Sequence, residues 1–186
     1  MAEFPKIIQA DGFTLEKVKP TFDTAKYLFE LVDSQREYLA KWLEWVDFSN
    51  CPEDMYPHLL KSSETKSSNY YIVQDNKIIG SISFVVFSEK HKMAEIGYWL
   101  SKDYNGRGIM TRAVKALESF GFETFNLNRI GITADSENLK SCAVAERAGY
   151  VKEGVLRQAN ILRGLPRDIA VYSKLKSEWE KENKNA

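Results

Sequence analysis

The stretch that most constrains this chain runs from Ile96 through Gly97, Tyr98, Trp99, Leu100, Ser101, Lys102, Asp103, Tyr104, Asn105, Gly106, Arg107, Gly108, Ile109 and Met110 to Thr111. Ile96 to Leu100 is aliphatic and aromatic, the composition of a buried strand. Asp103 to Gly106 carries turn chemistry, because Asn and Gly tolerate the positive φ of a sharp reversal. From there Met110, Ala113, Val114, Leu117 and Gly121 recur at the spacing of one helix face. The expected unit is strand, glycine loop, helix. Such a loop gathers unpaired backbone N–H groups at the positive end of a helix dipole. Arg107 and Arg112 add formal charge. A polyanion, most simply a phosphate, suits this arrangement.

Two phosphate loops fit poorly. A Walker A loop needs a Lys after its last glycine, and Ile109 follows Gly108. A dinucleotide fingerprint finds its first two glycines in Gly106 and Gly108 but meets Thr111 at the third. An ordinary strand–turn–helix connection uses the same residues.

The length of 186 residues suits one domain with a sizeable core. A formal net charge of zero offers no basic field for nucleic acid or membrane. No apolar run approaches a membrane span, and no signal peptide is visible at Met1 to Pro5. The cysteines, Cys51 and Cys142, lie far apart, as free thiols of a reducing, cytoplasmic compartment would. His58 and His91 are isolated, so no metal site is expected.

Taken in order, Phe13 to Lys19 alternates as a short strand ended by Pro20. Thr21 caps a helix bearing Phe22, Ala25, Leu28, Phe29 and Val32 on one face. A second helix is expected from Ser34 through Trp45, and a further one from Cys51 to about Lys66. Tyr70 to Val73, Ile78 to Phe87 and Met93 to Leu100 form a meander, with Ile78, Gly80, Ile82, Phe84 and Val86 on one face. The helix after the glycine loop ends near Phe125, and Asn128 to Ala134 is a strand. Asp135 to Asn138 introduces a helix to Ala148 that Gly149 stops. Val151 to Arg157 and Asp168 to Leu175 are strands joined by a turn at Arg163 to Pro166, and Trp179 pins a last helical turn. The order β-α-α-β-β-β-α-β-α-β-β indicates a mixed α/β (α+β) fold with one sheet.

Four segments together resemble the GNAT acetyltransferase superfamily. They are Ile96 to Leu100, the loop Asn105-Gly106-Arg107-Gly108-Ile109-Met110, the pair Asn138 and Ser141, and Gly149-Tyr150 with Glu153-Gly154. The GNAT loop pattern is Q/R-x-x-G-x-G/A. Asn105 and Met110 depart from it and Gly108 keeps it. Trp42-Leu43-x-Trp45 and the ending Asp168…Tyr172…Leu175 look like the RimJ/RimL branch, the N-terminal acetyltransferases of ribosomal proteins. The resemblance covers about residues 12 to 180 of a single domain.

That resemblance implies a central mixed sheet flanked by helices and acetyl-CoA as co-substrate, without a metal. It implies that Tyr98, Trp99 and Leu100 pair with the pantetheine through their backbone. Arg107, Gly108, Ile109, Met110 and Thr111 would hold the pyrophosphate, and Asn138 would bond the pantetheine. Ser141 would serve at the sulfur as the acid for the departing thiolate. Many GNAT enzymes place a Tyr seven positions after the Asn, where this chain has Ala145. Relatives carry a Glu after Gln-Ala in a late strand; here Gln158-Ala159 is followed by Asn160, and an amide cannot accept a proton. Glu95 stands as the substitute base. Trp42 and Trp45 suit core or helix–helix packing, favoured for at least one of them, or a wall of the acceptor groove, with Glu44 meeting a cationic acceptor. The acceptor is a primary amine, on a protein N-terminus or a small molecule. A non-catalytic acyl-CoA-binding module also fits, as does a monomer or a homodimer.

Overall fold

The computed structural model describes residues 3–184. Eight strands are β1 (Ile7–Ala10), β2 (Phe13–Glu16), β3 (Tyr70–Gln74), β4 (Lys77–Ser88), β5 (Met93–Leu100), β6 (Arg129–Asp135), β7 (Val151–Leu162) and β8 (Leu165–Leu175). The helices are α1 (Phe22–Asp33), α2 (Arg36–Ala40), α3 (Pro52–Ser63), α4 (Ile109–Thr124), α5 (Leu139–Arg147) and α6 (Lys176–Lys184). The strands follow one another in the sheet as β1-β2-β3-β4-β5-β6-β8-β7. β5 and β6 run parallel, whereas β1–β2, β2–β3, β3–β4, β6–β8 and β7–β8 pair antiparallel. The mixed α/β class with a single sheet therefore stands.

Four elements differ from the sequence expectation. β1 is additional: its Ile7 is 48% exposed, so its one-sided pattern is too short and too wet to read. The helix expected through Trp45 breaks after Ala40 and resumes as a 3-10 turn at Glu44–Phe48. Arg36 causes the break, its guanidinium donating to the Val46 and Ser49 carbonyls at 2.6 Å each. Such capture of carbonyls by a side chain leaves no trace in hydrophobic periodicity. The β7–β8 hairpin is longer than expected, and the last helical turn is a full helix, α6. Two expected core positions also miss: Phe22 is 53% exposed and Val86 46%.

The chain falls into two compact units. The first comprises Glu3–Ser83 with Tyr98–Ile109. Thr21 caps α1 by accepting the Thr24 N–H, and α1 buries Ala25, Leu28 and Val32. These pack with Leu39, Val46, Met55, Leu59 and Tyr71 in one apolar cluster. α3 opens on Pro52, and the Asp54 carboxylate accepts the Asn50 and Cys51 N–H groups at 2.8 and 3.1 Å. Those bonds hold Asp54 below the usual carboxylate range.

The second unit comprises Phe84–Gly97 and the residues from Met110 on. α4 buries Ala113, Val114, Leu117 and Phe122. Gly121 is required in it, since a β-carbon there would stand 2.9 Å from Phe84 and 3.1 Å from Leu127. Lys174 of β8 is fully buried, bonded to Glu118 at 3.1 Å, to the Ala148 carbonyl at 2.6 Å and to Glu182 at 2.8 Å. One ammonium thus joins α4, the end of α5 and α6. Burial pushes the Glu118 carboxyl up to about 7, against the pull of Lys174.

Candidate active site

In the first unit the end of β5 and the glycine loop lie consecutively. The ladder of β5 with β6 pairs Met93 with Arg129, Ala94 with Ile130 and Glu95 with Gly131, and extends no further among the described residues. Ile96 to Leu100 continue as strand without a β6 partner. Their far edge therefore offers backbone donors and acceptors to a ligand. Trp99 packs on Trp45, ring centres 6.0 Å apart and planes tilted by 54°. Trp45 is thus partly core, packed against the apolar cluster. Trp42 is half-buried beneath Lys41, whose Nζ stands 5.0 Å from its ring, and Glu44 is exposed.

Beyond β5 the chain makes a 3-10 turn, Lys102–Tyr104, and then the loop. Gly106 and Gly108 sit at φ 76° and 69°, where side chains are strained. No heavy atom lies within 4 Å of where a Gly106 β-carbon would stand, so the loop is open to solvent. Two residues of the α1–α2 region brace it. The Lys102 N–H donates to Gln35 Oε1 at 2.8 Å, and Asn105 Nδ2 donates to the Tyr38 hydroxyl at 2.8 Å. Gln35 and Tyr38 carry no local signal for this role, because the partners lie 67 positions away. Asn105 thus replaces the usual Gln or Arg with an anchor. Arg107 bonds the Asp103 carbonyl and stacks over Tyr104. Met110 lies on the buried face of α4 with Ala113, Val114 and Leu117, directed at the core rather than the loop. The Thr111 hydroxyl, in the first turn of α4, is buried without a hydrogen-bond partner. A loop of left-handed glycines, helix N–H groups and an orphaned hydroxyl suits a pyrophosphate.

In the second unit Asn138 caps α5, its Oδ1 accepting the Ser141 N–H at 3.2 Å. The cap uses the carbonyl oxygen of the Asn138 side chain and leaves its NH₂ group pointing outward from that bond. Ser141 enters the cap through its backbone, and its side chain is half-buried. Arg167 of β8 fixes the preceding loop by pairing with Asp135 and Glu137. Ala145 is fully buried and, having no hydroxyl, supplies none at the position where many family members carry a Tyr. Glu95 is half-buried and its Oε1 accepts from the Thr133 hydroxyl at 2.6 Å. Thr133 was not singled out by sequence, although its place on β6 follows from strand alternation. Glu153 receives both Arg129 Nη groups at 2.6 Å and the Ser173 hydroxyl at 2.8 Å. Those donors lower its carboxyl below the usual range, Arg129 contributing most. Glu153 is therefore a clamp across β6, β7 and β8. Asn160 stands opposite Arg167 on the β7–β8 hairpin.

A family model described as an acetyltransferase (GNAT) domain matches residues 13–151. The chain belongs to the GNAT acetyltransferase family. A ribosomal-protein-serine acetyltransferase of Escherichia coli is 30% identical over 154 residues, 81% of this chain and 86% of that protein. The structure of the microcin self-immunity acetyltransferase MccE, in complex with acetyl-CoA and AMP, is 32% identical with a TM-score of 0.81, covering 89% and 93% of the two chains. RimL, a ribosomal-protein acetyltransferase in complex with coenzyme A, is 26% identical with a TM-score of 0.84, covering 92% and 99%. The GNAT chain is an acetyl-CoA-dependent N-acetyltransferase. No helix among the described residues is long and apolar enough to cross a membrane.

Proposed function

We propose that this GNAT enzyme acetylates the amine of a protein N-terminus by direct attack of the neutral amine on the acetyl-CoA thioester. The observation that carries the reading is the edge of β5, unpartnered by β6 beyond Glu95 and followed at once by the glycine loop. An extended pantetheine adds to that edge as a strand would, and an amide of Tyr98, Trp99 or Leu100 polarises the thioester carbonyl. The amides from Arg107 to Thr111 hold the pyrophosphate, with the orphaned Thr111 hydroxyl as a further donor. Asn138 keeps the pantetheine-binding role the resemblance implies, and Ser141 that of acid for the thiolate. Glu95, oriented by Thr133, takes the amine proton. Trp42, Trp45 and Glu44 belong to the acceptor side. The names of the E. coli relative and of RimL favour a protein N-terminus as acceptor.

The test is thiol release from acetyl-CoA with peptides whose N-termini are free or blocked, beside a panel of small amines. Release with free N-termini and none with blocked ones is expected. Release with small amines alone would remove the protein acceptor.

A further inference from the structure

The ladder of the β7–β8 hairpin is interrupted twice, between Lys152 and Gly154 and, more widely, between Leu156 and Asn160. Leu156 pairs with Ile169 and Asn160 with Arg167, so Arg157, Gln158 and Ala159 stand opposite Asp168 alone. Gln158 sits at φ 50°, a left-handed conformation that costs a side-chain-bearing residue free energy. Its N–H donates to Asp168 Oδ1 at 2.8 Å. The Asp168 carbonyl in turn accepts the Ser136 N–H at 2.8 Å, so this point of β8 is held from both sides. The bulge opens a cleft of about 620 Å³ lined by Arg157, Gln158 and Asp168. Bulges of this kind re-aim side chains and recur beside functional sites.

Two opposite charges face the cleft without neutralising each other. Among the described residues Arg157 makes no hydrogen bond or ion pair, and Asp168 engages only its Oδ1. The neighbouring Arg167 is occupied by Asp135 and Glu137 and does not compete for Asp168. The bulge accounts for the separation, because it turns the carboxylate to a backbone N–H rather than to the guanidinium. Gln158 adds an amide between them. A site that offers a free cation and a fixed anion complements a ligand carrying both charges.

The geometry points to this cleft as an acceptor subsite for zwitterions. Besides the amine to be acetylated, the acceptor carries a cationic group for Asp168 and an anionic group for Arg157. The assignment to the acceptor rests on the N-acetyltransferase reading above. A free diamino acid and a charged N-terminal peptide both supply this chemistry.

Two substitutions separate charge from architecture. Asp168→Asn keeps an Oδ1 acceptor for the Gln158 N–H and removes the charge; Arg157→Gln removes the opposite charge. Calorimetry on the full chain compares L-lysine with 1,5-diaminopentane, which lacks the anion, and hexanoate, which lacks the cation. A parallel series compares a serine-initiated peptide carrying one Lys and one Glu with versions in which Gln replaces either. The probe carrying both charges in at least one series is expected to bind about fivefold more tightly than either analogue lacking one of them. Asp168→Asn erases its preference over the analogue lacking the cation, and Arg157→Gln its preference over the analogue lacking the anion. The series that shows the preference identifies the source. Equal affinity within both series, or preferences unmoved by both substitutions, overturns the subsite. Thiol release from acetyl-CoA with the same probes tests the acceptor reading separately. Charge-dependent binding without thiol release retains a zwitterion site and removes its assignment to the acceptor.

Discussion

Gly80 of β4 lies so close to Trp99 of β5 that a β-carbon at position 80 would stand 2.4 Å from the Trp99 carbonyl oxygen and 3.0 Å from the Leu100 Cα. The only side chain the site allows is hydrogen. The Ser101 N–H bonds the Ile79 carbonyl at 2.8 Å alongside, so the two backbones cannot separate without losing that bond. Gly80→Ala must therefore displace the end of β5. A loss of about 2 kcal/mol of stability is expected from the overpacking. Acetyl-CoA affinity should fall at least about tenfold, because the displaced amides belong to the proposed ligand edge. Thermal melting and calorimetry read the two effects separately.

Tyr38 braces the glycine loop from a helix distant in sequence. Tyr38→Phe removes the acceptor for Asn105 Nδ2 and keeps the ring. Losing one hydrogen bond of about 1 kcal/mol should weaken acetyl-CoA binding about fivefold. The expected change in melting temperature is small. An unchanged affinity would mean that the loop holds its shape without this brace.

Ser141 donates its backbone N–H to Asn138 Oδ1 in the α5 cap. Ser141→Ala therefore leaves the cap in place, whereas Asn138→Ala removes it at a cost of about 1 kcal/mol. If Ser141 protonates the leaving thiolate, its alanine variant should lose about 100-fold in kcat with acetyl-CoA affinity unchanged. Single-turnover measurements across pH check this, and an unaltered profile would exclude Ser141 as the acid.

Glu118 makes stability depend on pH. Its carboxyl is raised from 4.5 to about 7 in the folded protein, chiefly by burial. The native state thus holds the proton more tightly than the unfolded chain does. The contribution is complete below 4.5 and is lost as pH rises through about 7, amounting to on the order of 3 kcal/mol at most. Glu118→Gln keeps an oxygen for Lys174 and cannot titrate. Between pH 5 and 8 the wild-type melting temperature should fall relative to that of the variant. Parallel curves would show that the carboxyl titrates in its ordinary range.

Local chemistry made much of the fold legible. The meander strands, α4 and α5 follow from hydrophobic periodicity, Thr21 and Asn138 cap as their residue types prefer, and Gly149 ends its helix. The glycine loop was legible because left-handed backbone and unpaired N–H groups are properties of a short segment. The broken helix after Ala40 was not, because Arg36 reaches two carbonyls more than two turns ahead. Nor was the cleft at Gln158, a non-glycine residue held left-handed by an aspartate on the facing strand.

The sequence by itself determined the strand–loop–helix unit, since it rests on residues adjacent along the chain, and the resemblance of four separated segments to the GNAT family implied the acyl-CoA chemistry. Tertiary structure alone decided what braces that loop, which carboxylates are clamped and which remain available to a ligand. Gln35 and Tyr38 became loop supports, Glu153 a clamp on Arg129, and Asp168 the anion of an open cleft. The reason is physical: a side chain's hydrogen-bond partners and its burial are set by whichever segments folding brings beside it.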